Sequence, residues 1–276
     1  MHRTHITLDY ASLAFFLVLI TSISGCTSSS IRNDEYAASN GFSKLLVDGI
    51  NFTHVVYTKN HHSQPDWHVY IEGDGIPWIS RRQVSPDPTE TLPVALRLME
   101  KDPGNTVYLG RPCYNGTATE KGCNPWFWTH GRYSKTVVDS MMEVLTTLIK
   151  TNQINTVTLI GHSGGGTIAL LMAESMPDVK TVITIAGNLD TNKWAIENGF
   201  TPLEGSLNPS ERDPLPDSIS EFHLIGRDDG VVSPDTIRQY VIRKRNSKFV
   251  LLDKCSHVDC WESIWPQMIS DLTEGN

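Results

Sequence analysis

Hydrophobic and polar positions along this chain repeat with two alternating periods. Residues 52–58 alternate and predict a strand, and an apolar run over 68–72 predicts a second, ending in Gly73-Asp74-Gly75. Within 87–100, Leu92, Ala95, Leu96 and Met99 fall at helical spacing. A strand over 106–109 and a helix over 134–150 follow, with Ser134 placed to cap the helix. A strand over 156–160 leads into a helix over 167–174. Residues 179–186 are an almost unbroken β-branched apolar run, the pattern of a central parallel strand buried on both faces. Strands over 221–225 and 248–252 enclose a helix over 235–245, and a helix over 261–272 closes the chain. Residues 187–220, with Asn188, Trp194 and Phe200, carry prolines and turn residues with little period. They read as a small cap at most. No internal repeat is visible. The alternation implies an α/β fold, a mostly parallel sheet with helices on both faces.

The N-terminus departs from this pattern. Arg3 precedes an apolar run over 11–21 that is too short to span a bilayer comfortably and reads as an export signal, residues 1–25. The run ends in Ile23-Ser24-Gly25-Cys26. This resembles the lipobox of bacterial lipoproteins, where cleavage before the cysteine is coupled to its acylation. The resemblance implies a lipid on Cys26, a membrane anchor, and residence in the cell envelope. Because Thr27 is not aspartate, it implies the outer membrane in a Gram-negative host. Residues 26–40, rich in Ser and Asn, read as a tether, and 41–276 as the folded domain.

Composition narrows the picture. The 276 residues are 39% hydrophobic and 20% charged, which suits one large globular domain. The net charge is −8 and the only basic stretch is 238–248, so nucleic acid is not an expected partner. With Cys26 acylated, Cys113, Cys123, Cys255 and Cys260 remain, an even set that suits an oxidising compartment. Three pairings are possible; the local one, 113–123 with 255–260, needs the least rearrangement. No Cys-x-x-Cys spacing points to zinc.

The chemistry concentrates in Thr158-Leu159-Ile160-Gly161-His162-Ser163-Gly164-Gly165-Gly166-Thr167-Ile168-Ala169. An apolar strand runs into Gly-x-Ser-x-Gly and then a small-residue helix start, which presents Ser163 on a sharp turn at the tip of the sheet. The helix N-terminus aims its N–H groups at the same point. A serine hydroxyl needs a base, and the base needs an orienting carboxylate. After strand 221–225 comes Gly226-Arg227-Asp228-Asp229-Gly230-Val231-Val232, in which Asp229 is the favoured acid and Asp228 the weaker candidate. After strand 248–252 comes Cys255-Ser256-His257-Val258-Asp259-Cys260, which offers His257 as base. Oxyanion donors are expected from the backbone N–H of Gly164 and of Asp74, in the loop Glu72-Gly73-Asp74-Gly75.

With these residues in order, the chain resembles an α/β-hydrolase superfamily serine hydrolase of the esterase or lipase type over residues 45–272. The resemblance implies the α/β-hydrolase fold and carboxylic ester or thioester cleavage through an acyl-enzyme. It also implies no cofactor, a small-molecule or lipid ester as substrate, and a monomer. Glu72 stands where the family often has histidine, a departure that bears on the oxyanion donor. Other readings are a peptidase or acyltransferase on the same machinery, or a non-catalytic envelope-binding lipoprotein.

Other features point elsewhere. Gly164 to Ala169 also fits a Gly-x-Gly-x-x-Ala dinucleotide pattern, but no acidic residue ends the next strand near 185. His61-His62 with His54 and His68 could suggest a metal cluster, but adjacent histidines in a polar loop are read as solvated. Arg111, Tyr114, Trp126 and Trp128 lie in one long loop near the site edge, where they either line a pocket or pack the cysteine loop.

Overall fold

The computed structural model describes residues 28–59, 66–244 and 246–274. An eight-stranded sheet forms its centre, in the order β1 (Ser43–Asp48), β2 (Thr53–Lys59), β6 (Asn105–Leu109), β3 (Asp66–Ile71), β7 (Thr156–His162), β8 (Val179–Ile185), β9 (Ser220–Gly226), β10 (Ser247–Leu252). β2 is antiparallel to both its neighbours, and every pairing from β6 to β10 is parallel. A separate hairpin, β4 (Trp78–Ser80) with β5 (Gln83–Val84), projects after the glycine loop.

Helices α2 (Val94–Lys101) and α7 (Trp261–Glu274) pack together, as do α3 (Lys135–Asn152) and α4 (Gly164–Ala173). α5 (Thr191–Glu197) lies in the 187–220 segment, and α6 (Pro234–Val241) packs on β9 and β10. The apolar run of β8 is buried at every position but Lys180, as expected of a strand covered on both faces. Ser134 does cap α3, its hydroxyl accepting from Val137 N–H.

Several expectations needed correction. The described part of the stretch read as a tether is helix α1 (Ser29–Ser39), capped by Ser28 and docked on the domain. Asn33 is fully buried: its amide donates to Glu90 O at 2.7 Å and accepts from Leu92 N–H at 2.8 Å. Polar composition misled here because the helix docks largely through hydrogen bonds. The helix expected over 87–100 is confined to α2, because Pro93 stands at its N-cap and 87–92 turns instead. α4 begins at Gly164, three residues earlier than expected, and α6 ends at Val241. β1 was not foreseen: it is an exposed edge strand without alternation. The export signal, Cys26, Thr27, His61 and His62 lie outside the described residues.

Both local disulfides form, Cys113–Cys123 and Cys255–Cys260. Around the first, Phe52, Tyr114, Ala118 and Trp128 build a small second core, with Phe127 against Phe52 at 4.9 Å. The aromatic loop therefore packs the disulfide. Among its tryptophans, Trp126 is partly exposed.

Candidate active site

Ser163 sits between β7 and α4 with φ +52° and ψ −121°, a conformation that non-glycine residues rarely adopt. The turn closes because its neighbours lack side chains. A Cβ on Gly161 would lie 2.3 Å from Gly165 C, and one on Gly165 would lie 2.1 Å from Ile71 O. The backbone of Ser163 is pinned at both ends. Its N–H donates to Ile185 O at 2.9 Å, and its carbonyl accepts from Gly166 and Asn188 N–H groups at 3.0 and 3.1 Å. The strain at this serine is thus held by β8 and by the loop that follows it.

Asp229 and His257 meet. His257 Nδ1 donates to Asp229 Oδ2 at 2.9 Å, and Asp229 Oδ1 accepts from Val231 and Val232 N–H groups at 2.8 Å each. Asp228, the weaker candidate acid, points to solvent. With Nδ1 occupied by the carboxylate, Nε2 of His257 is the free nitrogen. Among the described residues no hydrogen bond links it to Ser163 Oγ. The loop that carries His257 is closed by Cys255–Cys260 and sits hard against the end of β9, where a Cβ on Gly226 would lie 2.1 Å from Cys255 O.

The glycine loop lies directly over the serine: a Cβ on Gly73 would be 3.2 Å from Ser163 Cβ. Gly73 N–H is taken by Glu72 Oε1 at 3.0 Å. Among the described residues no partner occupies Asp74 N–H or Gly164 N–H, the latter being one of the unpaired amides that open any helix.

Sequence reasoning missed how firmly Asp74 is held. Its carboxylate binds Arg111 Nη1 at 2.7 Å, Arg132 Nη1 at 2.9 Å and the Tyr133 hydroxyl at 2.6 Å. Tyr114 OH donates to the Asp74 carbonyl at 3.0 Å, and Arg111 also donates to Gly73 O at 2.9 Å. The Arg111 guanidinium lies over the Tyr114 and Tyr133 rings. Burial alone would raise the Asp74 pKa. Arg132 and Arg111 outweigh it and hold the carboxyl well below the usual carboxylate range. Only the burial of both arginines marks them as a clamp, and burial of a charge leaves no signal in the sequence.

The 187–220 segment is tied to the same clamp: Leu207 N–H donates to Tyr133 O, and Ser206 Oγ bonds Tyr133 N–H and His130 O. Its Ile196 and Phe200 are exposed. Asn188 is buried, yet neither its amide oxygen nor its amide nitrogen has a partner. A cleft of about 360 Å³ lined by Glu174, Arg212 and Asp213 opens at the far end of α4, away from this site.

A second serine–histidine pair lies elsewhere: His54 Nε2 is 2.8 Å from Ser140 Oγ, with both residues fully buried. His68 is bound to Asp102 at 2.7 Å, so these two histidines serve separate structural contacts.

No protein-family model matches the chain, and neither does any curated protein sequence. Solved structures do. A membrane phospholipase A described as a bacterial virulence factor is 16% identical with a TM-score of 0.60, covering 96% of this chain and 97% of its own. A lidless α/β serine hydrolase from Xanthomonas campestris is 15% identical with a TM-score of 0.54, covering 85% and 93%. An esterase from Pyrococcus furiosus is 12% identical with a TM-score of 0.60, covering 86% and 94%. At these identities the likeness is one of fold: the chain has the α/β-hydrolase fold.

Proposed function

We propose that the chain is a serine hydrolase of carboxylic esters or thioesters. The observation that carries this is the Asp229–His257 pair, whose loop is bonded to His162 next to a serine held at φ +52° beside unpaired backbone N–H groups. Ser163 Oγ attacks the substrate carbonyl carbon while His257 Nε2 accepts its proton. Asp229 holds the imidazole by Nδ1 and stabilises its cation. Gly164 and Asp74 N–H groups receive the developing oxyanion. His257 returns the proton to the leaving oxygen or sulfur, and the acyl group stays on Ser163. Water then attacks that ester with His257 again as base, which frees the acid and restores the serine.

The test is a chain-length series of aryl esters, with mass spectrometry of the quenched enzyme. An acyl adduct on the peptide carrying Ser163 is expected; turnover without an adduct at that serine would refute the assignment.

We further propose export and lipid anchoring through Cys26. Two disulfides, and no membrane-length apolar helix among the described residues, are compatible with this. Cys26→Ala should move the protein from the membrane fraction to the soluble one; unchanged fractionation would rule the anchor out.

A further inference from the structure

His162 stands immediately before the nucleophile, is 3% exposed, and has no task in the chemistry above. Both its ring nitrogens face oxygen. Nδ1 lies 3.2 Å from Glu72 Oε1, and Nε2 lies 2.9 Å from the backbone carbonyl oxygen of His257. A neutral imidazole carries one N–H and one lone pair, so it can satisfy only one of them. The carbonyl is an acceptor alone. The two Glu72 oxygens already accept N–H groups, from Gly73 at 3.0 Å and from Ala95 at 2.8 Å. Two donors are therefore needed, and imidazolium supplies them.

We propose that His162 is a positioning residue, held as a buried imidazolium that ties the end of β3 to the base loop and keeps His257 in place. The proposal rests on the reading of His257 as the base. It gives Glu72 a task as well, that of counter-charge to a cation one residue from the nucleophile.

The charges around the ring agree. Glu72 faces it from the end of β3, Glu90 from the segment before α2, and the His257 ring from the base loop at 5.0 Å between centroids. Arg97 on α2 and Tyr108 on β6 interact with the same carboxylates. Burial opposes the cation, but the bond to Glu72, its charge and the His257 carbonyl outweigh it and raise the His162 pKa above the ordinary imidazole value of about 6.5. The sign follows from a raised pKa. The coupling is complete below the ordinary value and is lost as pH climbs through the folded-state value. Above it, one bare nitrogen faces an oxygen lone pair and the strap on the base loop opens.

Two measurements on the full folded domain decide this. The first is NMR of the wild type labelled with 15N-histidine and assigned through the backbone. Two protonated ring nitrogens on His162 at neutral pH are expected, and a bare nitrogen there overturns the proposal. This needs no variant to fold and no activity. The second is kcat against pH. The wild type should lose kcat on the alkaline side. His162→Gln should lower kcat about 10–100-fold with a smaller change in KM and abolish that limb; Glu72→Gln should move it to lower pH. An alkaline limb untouched by both substitutions overturns the positioning role. Full activity in His257→Ala would instead strike the catalytic reading and leave the NMR result standing.

Discussion

Two serine–histidine sets can be compared in this molecule, Ser140 with His54 and Ser163 with His257, and the proposed function puts chemistry in only the second. Ser140 and His54 are hydrogen-bonded at 2.8 Å, yet both are sealed in the core. His54 Nδ1 faces a neutral carbonyl, Gly110 O, at 2.8 Å, and burial pushes its pKa down to about 4. An imidazolium there would have no counter-charge. Ser140 lies mid-helix in α3, where the surrounding backbone N–H groups are spent on the helix itself. Ser163 and His257 differ on each count. The histidine has a carboxylate, the serine heads a helix whose first N–H groups are unpaired, and both side chains retain some exposure. The proposed assignment therefore rests on the carboxylate behind His257 and the unpaired N–H groups beside Ser163, and not on a short Ser–His distance.

The sharpest way to break this contrast is to remove the carboxylate. Asp229→Asn should lower kcat about 10⁴-fold with the fold intact, measured by ester turnover beside circular dichroism. Near-normal turnover would reduce Asp229 to a loop residue. Next in size is the clamp on the glycine loop. Arg132→Ala leaves Asp74 with one cation fewer and should cost about 3–5 kcal/mol of stability at neutral pH, read by denaturant unfolding, with a further loss of kcat of up to about 10²–10³ if Asp74 N–H moves off the oxyanion. Because the folded Asp74 pKa is depressed, this stability is present above about pH 4 and is lost as pH falls below it. The variant should therefore also gain less stability than the wild type when pH is raised through that region.

The buried couple predicts smaller effects, on stability alone. Ser140→Ala should cost about 1–3 kcal/mol by leaving His54 Nε2 unpaired, with kcat unchanged. A fall in kcat would bring that pair into the chemistry. Since His54 has a lowered folded-state pKa, the wild type should weaken as pH drops from about 6.5 toward about 4. Replacing His54 with glutamine should flatten stability over that interval. Smallest is the disulfide of the base loop. Opening Cys255–Cys260 should cost about 2 kcal/mol in the chain-entropy view, seen as a lower melting temperature on mild reduction.

The sequence was legible where local pattern decides structure. The strand leading to Ser163 and the β8 run follow from periodicity and glycine punctuation. Asp229 and His257, the proposed acid and base, fall in strand-end turns because parallel strands deliver their C-terminal loops to one edge of the sheet. It was illegible where burial of polar groups decides. Asn33 turned a Ser- and Asn-rich stretch into a docked helix, and Arg111 and Arg132 became a clamp on Asp74. Glu72, a departure from the family pattern, found its partner in His162 across 90 positions of sequence. In each case the deciding contact joins residues far apart in the chain, and nothing in their own neighbourhoods announces it.

Ser163 is the proposed nucleophile, activated where Ser140 is not. The most direct test is labelling with a fluorophosphonate probe of the folded wild type, Ser163→Ala and Ser140→Ala. Labelling of the wild type and of Ser140→Ala at equal rates is expected, and none of Ser163→Ala. Failure to label the folded wild type, or labelling that survives Ser163→Ala, would contradict this assignment.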